Sequence, residues 1–132
     1  MREIKENPVC WFELPVTDME RAIGFYEYVF GVEMERENKS TCADTVMIFF
    51  PHSISGKGVF GSLTKSPYMQ PSVSGAMLYF SSTVDDVALE LSRVEFAGGK
   101  ILVQKTFIAE DIGYFGIVLD TEGNRIGIMS TK

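Results

Sequence analysis

Histidine and cysteine are scarce in this sequence: one histidine, His52, and two cysteines, Cys10 and Cys42, stand among 132 residues. That scarcity excludes every metal site needing several such ligands, including four-cysteine zinc, paired-Cys/His fingers, an H-E-x-x-H helix and three-histidine zinc. A catalytic dyad or triad with a histidine base would have to use His52 itself. The cysteines form no C-x-x-C motif, so they read as free thiols of a reducing cytoplasm, with a single disulfide as the alternative. Cys10, on an alternating apolar stretch, is expected to be buried and inert. Basic residues are also in deficit. Twelve Lys and Arg face eighteen Asp and Glu, a formal net charge of −6. Such a surface repels phosphate backbones, which argues against a nucleic-acid partner and favours a cationic or amphipathic ligand. Long hydrophobic runs are missing as well. The longest, Val46 to Phe50, is far too short to span a bilayer. Met1 to Pro8 is charged and polar, without the apolar stretch of a secretion signal. The expectation is a cytoplasmic protein with no membrane partner.

What the sequence does contain is an internal repeat. Two stretches superimpose at a constant offset of 68 residues, from Thr17 to Asp85 and from Gly31 to Gly99. In the first, an apolar run from Val9 to Val16 precedes a helical pattern with a stripe of Met19, Ile23 and Tyr26. In the second, Met77 to Phe80 precedes a stripe of Val87, Leu91 and Val94. Thr17 and Glu20 match a capping box, Asp85 suits an N-cap, and Gly31 and Gly99 suit the left-handed residue that ends a helix. Strand-like segments follow each helix: Val32 to Arg36, Thr45 to Phe50 and Gly58 to Leu63, then Lys100 to Thr106, Gly113 to Leu119 and Asn124 to Met129. Each half therefore reads β-α-β-β-β. The first module covers about residues 8–63 and the second about 76–130, joined by a Ser/Pro-containing linker, 64–75. With one helix apiece, neither half covers both faces of its sheet, so the two form one domain of α+β class.

The paired module resembles the vicinal oxygen chelate superfamily, which includes glyoxalase I, extradiol dioxygenases and the bleomycin- and fosfomycin-resistance proteins. The resemblance rests on Val16-Thr17-Asp18, then Phe25-Tyr26-Glu27-Tyr28-Val29-Phe30-Gly31, and on the closing Asp120-Thr121-Glu122-Gly123-Asn124-Arg125-Ile126-Gly127-Ile128. It implies two tandem modules whose curved mixed sheets form a cleft with the helices outside, and a homodimer. It also implies metal ligands of His, Glu or Gln type on cleft-facing strands, seven residues before the Asp that opens each helix and four after the glycine of the E-G-N turn. Those positions hold Trp11, Tyr79 and Gly127. The remaining ligand belongs near Val59 to Gly61, where no His or Glu stands. Indole, phenol and bare backbone are poor ligands for a hard divalent ion, so no metal and no cofactor is expected.

Strand alternation then predicts the cleft lining. With Trp11 inward, Glu13 is inward too, while Cys10, Phe12 and Leu14 pack under the helices. Tyr79 and Ser81 follow by the repeat, joined by Tyr114, Gly116, Arg125, Gly127 and Met129, and in the first half by Val46, Ile48 and Phe50. An aromatic, mostly apolar pocket with a few polar groups is the usual composition of a small-molecule site. Trp11 and Tyr79 read either as a ligand platform or as core packing. Glu13 reads either as a general base in the cleft or as the partner of Arg125 in a structural ion pair. His52, in a Ser/Gly-rich loop, is either solvated or in reach of a ligand. The loop Ser53 to Gly58 lacks the spacing of a phosphate-binding P-loop. The leading reading is a metal-independent binder of a small molecule. The alternative is a lyase, isomerase or dioxygenase with an atypical metal site or Glu13 acid–base chemistry.

Overall fold

The computed structural model describes residues 3–132. Residues 1 and 2, part of the Met1–Pro8 stretch considered above, lie outside the described residues. Nine elements follow in the order β1 (Phe12–Pro15), α1 (Met19–Phe30), β2 (Val46–Phe49), β3 (Gly61–Lys65), β4 (Tyr79–Ser81), α2 (Val87–Val94), β5 (Lys100–Ala109), β6 (Gly113–Leu119) and β7 (Arg125–Ser130). One mixed sheet has the order β1-β3-β2 and the other β4-β7-β6-β5. In each, the strand before the helix pairs in parallel with the last strand of its half, β1 with β3 and β4 with β7. The repeat in the sequence is thus a repeat of topology, and the fold class is the expected one.

The two halves differ at one strand. By analogy with β5, Val32–Arg36 should pair outside β2, but it forms no strand. Side chains occupy its backbone instead. The Met34 N–H donates to Glu27 Oε2 (2.7 Å), and Arg36 donates both to the Met34 carbonyl (3.0 Å) and to Glu27. The segment is folded back on α1 and leaves the first sheet with three strands. The last strand of that half is shifted too, starting at Gly61 rather than Gly58 and running into the expected linker. Its start is set by the parallel register Phe12↔Gly61.

Both helices are amphipathic as predicted, and their ends differ from the sequence reading by one to several residues. The N-cap of α1 is Asp18, which accepts from the Arg21 N–H (3.1 Å), rather than Thr17. The N-cap of α2 is Asp86, rather than Asp85. Asp85 sits at φ 55° and holds Thr131 instead. Gly31 ends α1 in the left-handed region, as expected. In the second half α2 stops at Val94, and the left-handed glycine is Gly98, not Gly99.

The helices lie on one side of the two sheets, α1 against β3 and α2 against β5, β6 and β7, and they touch each other. Arg93 donates to the Val29 carbonyl and the Thr83 hydroxyl to the Phe30 carbonyl (2.8 Å), satisfying the open carbonyls at the end of α1. The core runs without a break through both halves, from Leu14, Ile23, Tyr26 and Leu63 to Leu91, Val118, Ile126 and Ile128. A polar clasp closes the opposite end. Glu122, in the β6–β7 turn, accepts from the N–H groups of Thr17 (2.9 Å) and Asp18 (2.8 Å) and pairs with Arg21 (2.7 Å). In the same turn Asp120 accepts from the buried Tyr26 hydroxyl (2.6 Å), and Asn124 donates to the Pro15 carbonyl (2.7 Å). The closing D-x-E-G-N segment is therefore what ties the second half to the strand and helix of the first.

Candidate functional site

Register decides which side chains share the face opposite the helices. In the first sheet Glu13 lies opposite Ser62, and Ser62 opposite Phe49, while Leu14, Leu63 and Ile48 form a matching row on the buried side. Trp11 stands with the former group, in edge-to-face contact with Phe49 (5.0 Å between centroids) and Phe60 (5.2 Å). His52 stacks on Phe60 (3.8 Å, 5° between planes), with its Nδ1 3.0 Å from the Phe50 carbonyl oxygen. In the second sheet Tyr79 lies opposite Gly127, and Ser81 opposite Met129. Trp11, Glu13, Tyr79, Ser81, Arg125 and Met129 accordingly lie on the open face.

Other expectations change. Val46, Ile48 and Phe50 belong to the helix-covered side, since Ile48 pairs with Leu63 and all three pack into the core. Tyr114 and Gly116 also turn toward α2, because they lie opposite Ser130 and Ile128. The open-face residues of β6 are Phe115, opposite Met129, and Ile117, opposite Gly127. A Cβ at Gly116 would meet Leu91, and Tyr114 packs against Phe107 under the Lys105 ammonium. Cys10 precedes β1 and is exposed, as is Cys42, and both are free. Glu13 and Arg125 do not pair. The Thr64 hydroxyl donates to Glu13 (3.1 Å) and lies 2.8 Å from that of Ser62, while Arg125 reaches the Met77 sulfur (3.7 Å).

An aromatic-walled space lies where the two halves meet. Phe80, from β4, enters a group of rings from the first half, with centroids 5.7 Å from Phe12, 5.7 Å from Tyr26, 5.4 Å from Phe30 and 5.5 Å from Phe50. These rings wall an inner pocket of about 210 Å3. An outer pocket of about 380 Å3 adjoins it, bounded by Asn7, Val9, Lys57 and Tyr79. Phe12, Val59, Phe80 and Ser81 belong to the walls of both. Of the residues singled out in the sequence, Tyr79, Ser81 and Phe50 reach this seam. Glu13 and Arg125 border a separate recess, His52 borders a recess that shares Val59 and Phe60 with the inner pocket and Lys57 and Val59 with the outer one, and Trp11 adjoins the seam through Phe60. Sequence reasoning missed Phe12, Val59 and Phe80. Their alternation marks Phe12 and Phe80 as core, and nothing local shows that the core stops short of filling the join.

The ionisable groups around the seam have distinct settings. Burial, with the Asp120 carboxylate beside it, pushes the Tyr26 phenol well above its ordinary range and keeps it a donor. Burial would raise the Glu122 carboxyl, but hydrogen bonds from Arg21, Asp18 and Thr17 outweigh it and hold the group at about 2. Among the described residues no three His, Cys, Asp or Glu side chains gather as a metal-binding group.

The model of the Glyoxalase/Bleomycin resistance protein/Dioxygenase superfamily matches residues 9–128, nearly the whole chain. The chain belongs to this superfamily. A glyoxylase-like domain-containing protein of Didymella fabae is 32% identical over 124 residues, covering 92% of this chain and 91% of its own. Two solved structures carry the same fold at low identity. Glyoxalase I from Zea mays superimposes with a TM-score of 0.70 at 22% identity over 94% of this chain, which spans only 46% of the maize chain. The genomically encoded fosfomycin resistance protein FosX from Listeria monocytogenes gives 0.64 at 13% identity, covering 98% of this chain and 94% of its own. Among the described residues no helix is long and apolar enough to cross a membrane.

Proposed function

We propose that this superfamily member binds a small aromatic molecule without a catalytic metal, in the seam between its two halves. The observation that carries this reading is the pair of adjoining pockets walled by Phe12, Tyr26, Phe30, Phe50 and Phe80, with Ser81 as the polar group common to both. Apolar walls with few polar groups favour binding by burial of apolar area, and rings favour a flat partner. The donor chemistry argues against the superfamily's metal. Where the resemblance implies ligands, the chain presents an indole, a phenol and no side chain. At Gly127, moreover, a Cβ would collide with the Tyr79 ring, so the room for a ligating side chain there is taken. On β3 the open-face groups beside Glu13 are hydroxyls, Ser62 and Thr64, which are weak ligands for a divalent ion.

A thermal-shift screen with one- and two-ring aromatic molecules, run with and without EDTA and accompanied by elemental analysis, tests the proposal. Stabilisation by aromatic ligands that persists in EDTA is expected. A divalent ion present at one per chain, together with ligand response lost on chelation, would overturn it.

A further inference from the structure

The charge at the seam runs opposite to the charge of the molecule. A net charge of −6 favours a cationic ligand at long range. At the pocket, however, among the described residues the only formally charged side chain on the walls is Lys57, at the outer mouth. Among the described residues it takes part in no ion pair. Hydrogen bonds already engage the acidic groups near the join, except at Glu90 Oε1, which is buried with no partner among the described residues. Glu122 is held by Arg21 and two backbone N–H groups, and Asp120 by Tyr26 and Asn124. Glu90 is fully buried behind the pocket wall, where its Oε2 accepts from the N–H (3.0 Å) and hydroxyl (3.2 Å) of Thr83.

The pocket is thus polarised along its length. Its inner part is six rings with Val32, Pro51 and Val59, and among the described residues its only hydroxyls besides that of Tyr26 are Ser81 and Thr83. The Tyr26 hydroxyl already donates to Asp120, and the single Thr83 hydroxyl proton is taken up by the Phe30 carbonyl (2.8 Å), with Glu90 Oε2 at 3.2 Å. A polar ligand group placed among the rings would lose water and find a free donor only at Ser81, on the lip shared with the outer pocket, which is costly. At the mouth stand Lys57, the Asn7 amide and the Ser81 hydroxyl, all able to donate. An apolar cavity of about 150 Å3 takes up benzene. The inner 210 Å3 therefore suits one substituted ring or two small fused rings, and the outer 380 Å3 a short chain leading to solvent.

We infer that the seam selects aromatic acids, with the ring among Phe12, Phe30, Phe50 and Phe80 and the carboxylate at Lys57. This deepens the binding reading above and rests on it. The test is calorimetric titration of three probes of one shape and different charge: 1-naphthylacetate, 2-(1-naphthyl)ethanol and 2-(1-naphthyl)ethylamine. The acid is expected to bind roughly fivefold more tightly than the alcohol, as for a single solvent-accessible ion pair, and the amine more weakly than either. Lys57→Ala should remove the acid's advantage and leave the alcohol unchanged. Val59→Phe, at a half-exposed wall residue common to both pockets, should abolish binding of all three without loss of thermal stability.

Equal binding of acid, alcohol and amine, unchanged by Lys57→Ala but blocked by Val59→Phe, would overturn the selectivity and leave the seam as the site. Binding insensitive to Val59→Phe, or saturation by none of the probes, would overturn the seam itself. Should Val59→Phe lower thermal stability, Ser81→Leu at the exposed lip serves as the blocking variant, with the same expectations.

Discussion

Glu122 shows how one side chain can hold two halves of a chain together. Its carboxyl, at about 2 in the fold against an ordinary 4.5, binds fewer protons there than in the unfolded chain. Its contribution to stability is therefore complete above about pH 4.5 and is lost as the pH falls toward 2. The shift corresponds to an upper limit of about 3 kcal/mol, reduced by screening because the Arg21 side chain is half exposed. Melting temperatures followed from pH 7 down to pH 2 should fall less steeply for Glu122→Gln below pH 4.5 than for the native protein. The variant should also melt lower at neutral pH. Parallel profiles for the two proteins would show that the clasp carries no such linkage.

Pairing between elements, rather than the nature of single residues, places Tyr79 over Gly127. The parallel register of β4 and β7 sets the two opposite each other, and the ring fills the volume that a side chain at 127 would use. Gly127→Ala should therefore destabilise by about 1–2 kcal/mol, since the half-exposed ring can swing away only in part. In a Tyr79→Ala background the same change should cost almost nothing, and a double-mutant cycle measured by urea denaturation gives the coupling directly. Additive effects would separate the two residues. At this scale the sequence was readable wherever local rules act alone. The stripes Met19-Ile23-Tyr26 and Val87-Leu91-Val94 gave both helices, and Gly113 to Leu119 is the strand observed. It was misleading where a side chain outcompetes a neighbouring strand for backbone groups. Val32–Arg36 has strand character, yet Glu27 and Arg36 take its hydrogen bonds. The caps missed by one residue for a similar reason, because Thr17 is recruited across the molecule by Glu122.

For the whole molecule, the continuous core and the clasp make the two halves interdependent. Phe80 completes the first half's ring cluster, and Tyr26 and Pro15 bond to the second half's closing turn. Unfolding should be a single transition, with Trp11 fluorescence reporting the first half and far-ultraviolet dichroism reporting both in coincident curves. Separate midpoints would mean that the halves fold on their own. The repeat, the two helices, the family motifs and the residue types at Trp11, Tyr79 and Gly127 follow from the sequence alone, because spacing and residue chemistry are local properties. The faces of Phe50 and Tyr114, the separation of Glu13 from Arg125 and the position of the pocket were decided by the tertiary structure. Each depends on strand register or on how two sheets meet. A register sets the face of every residue in a strand at once, and a gap between packed halves has no signature in either half by itself.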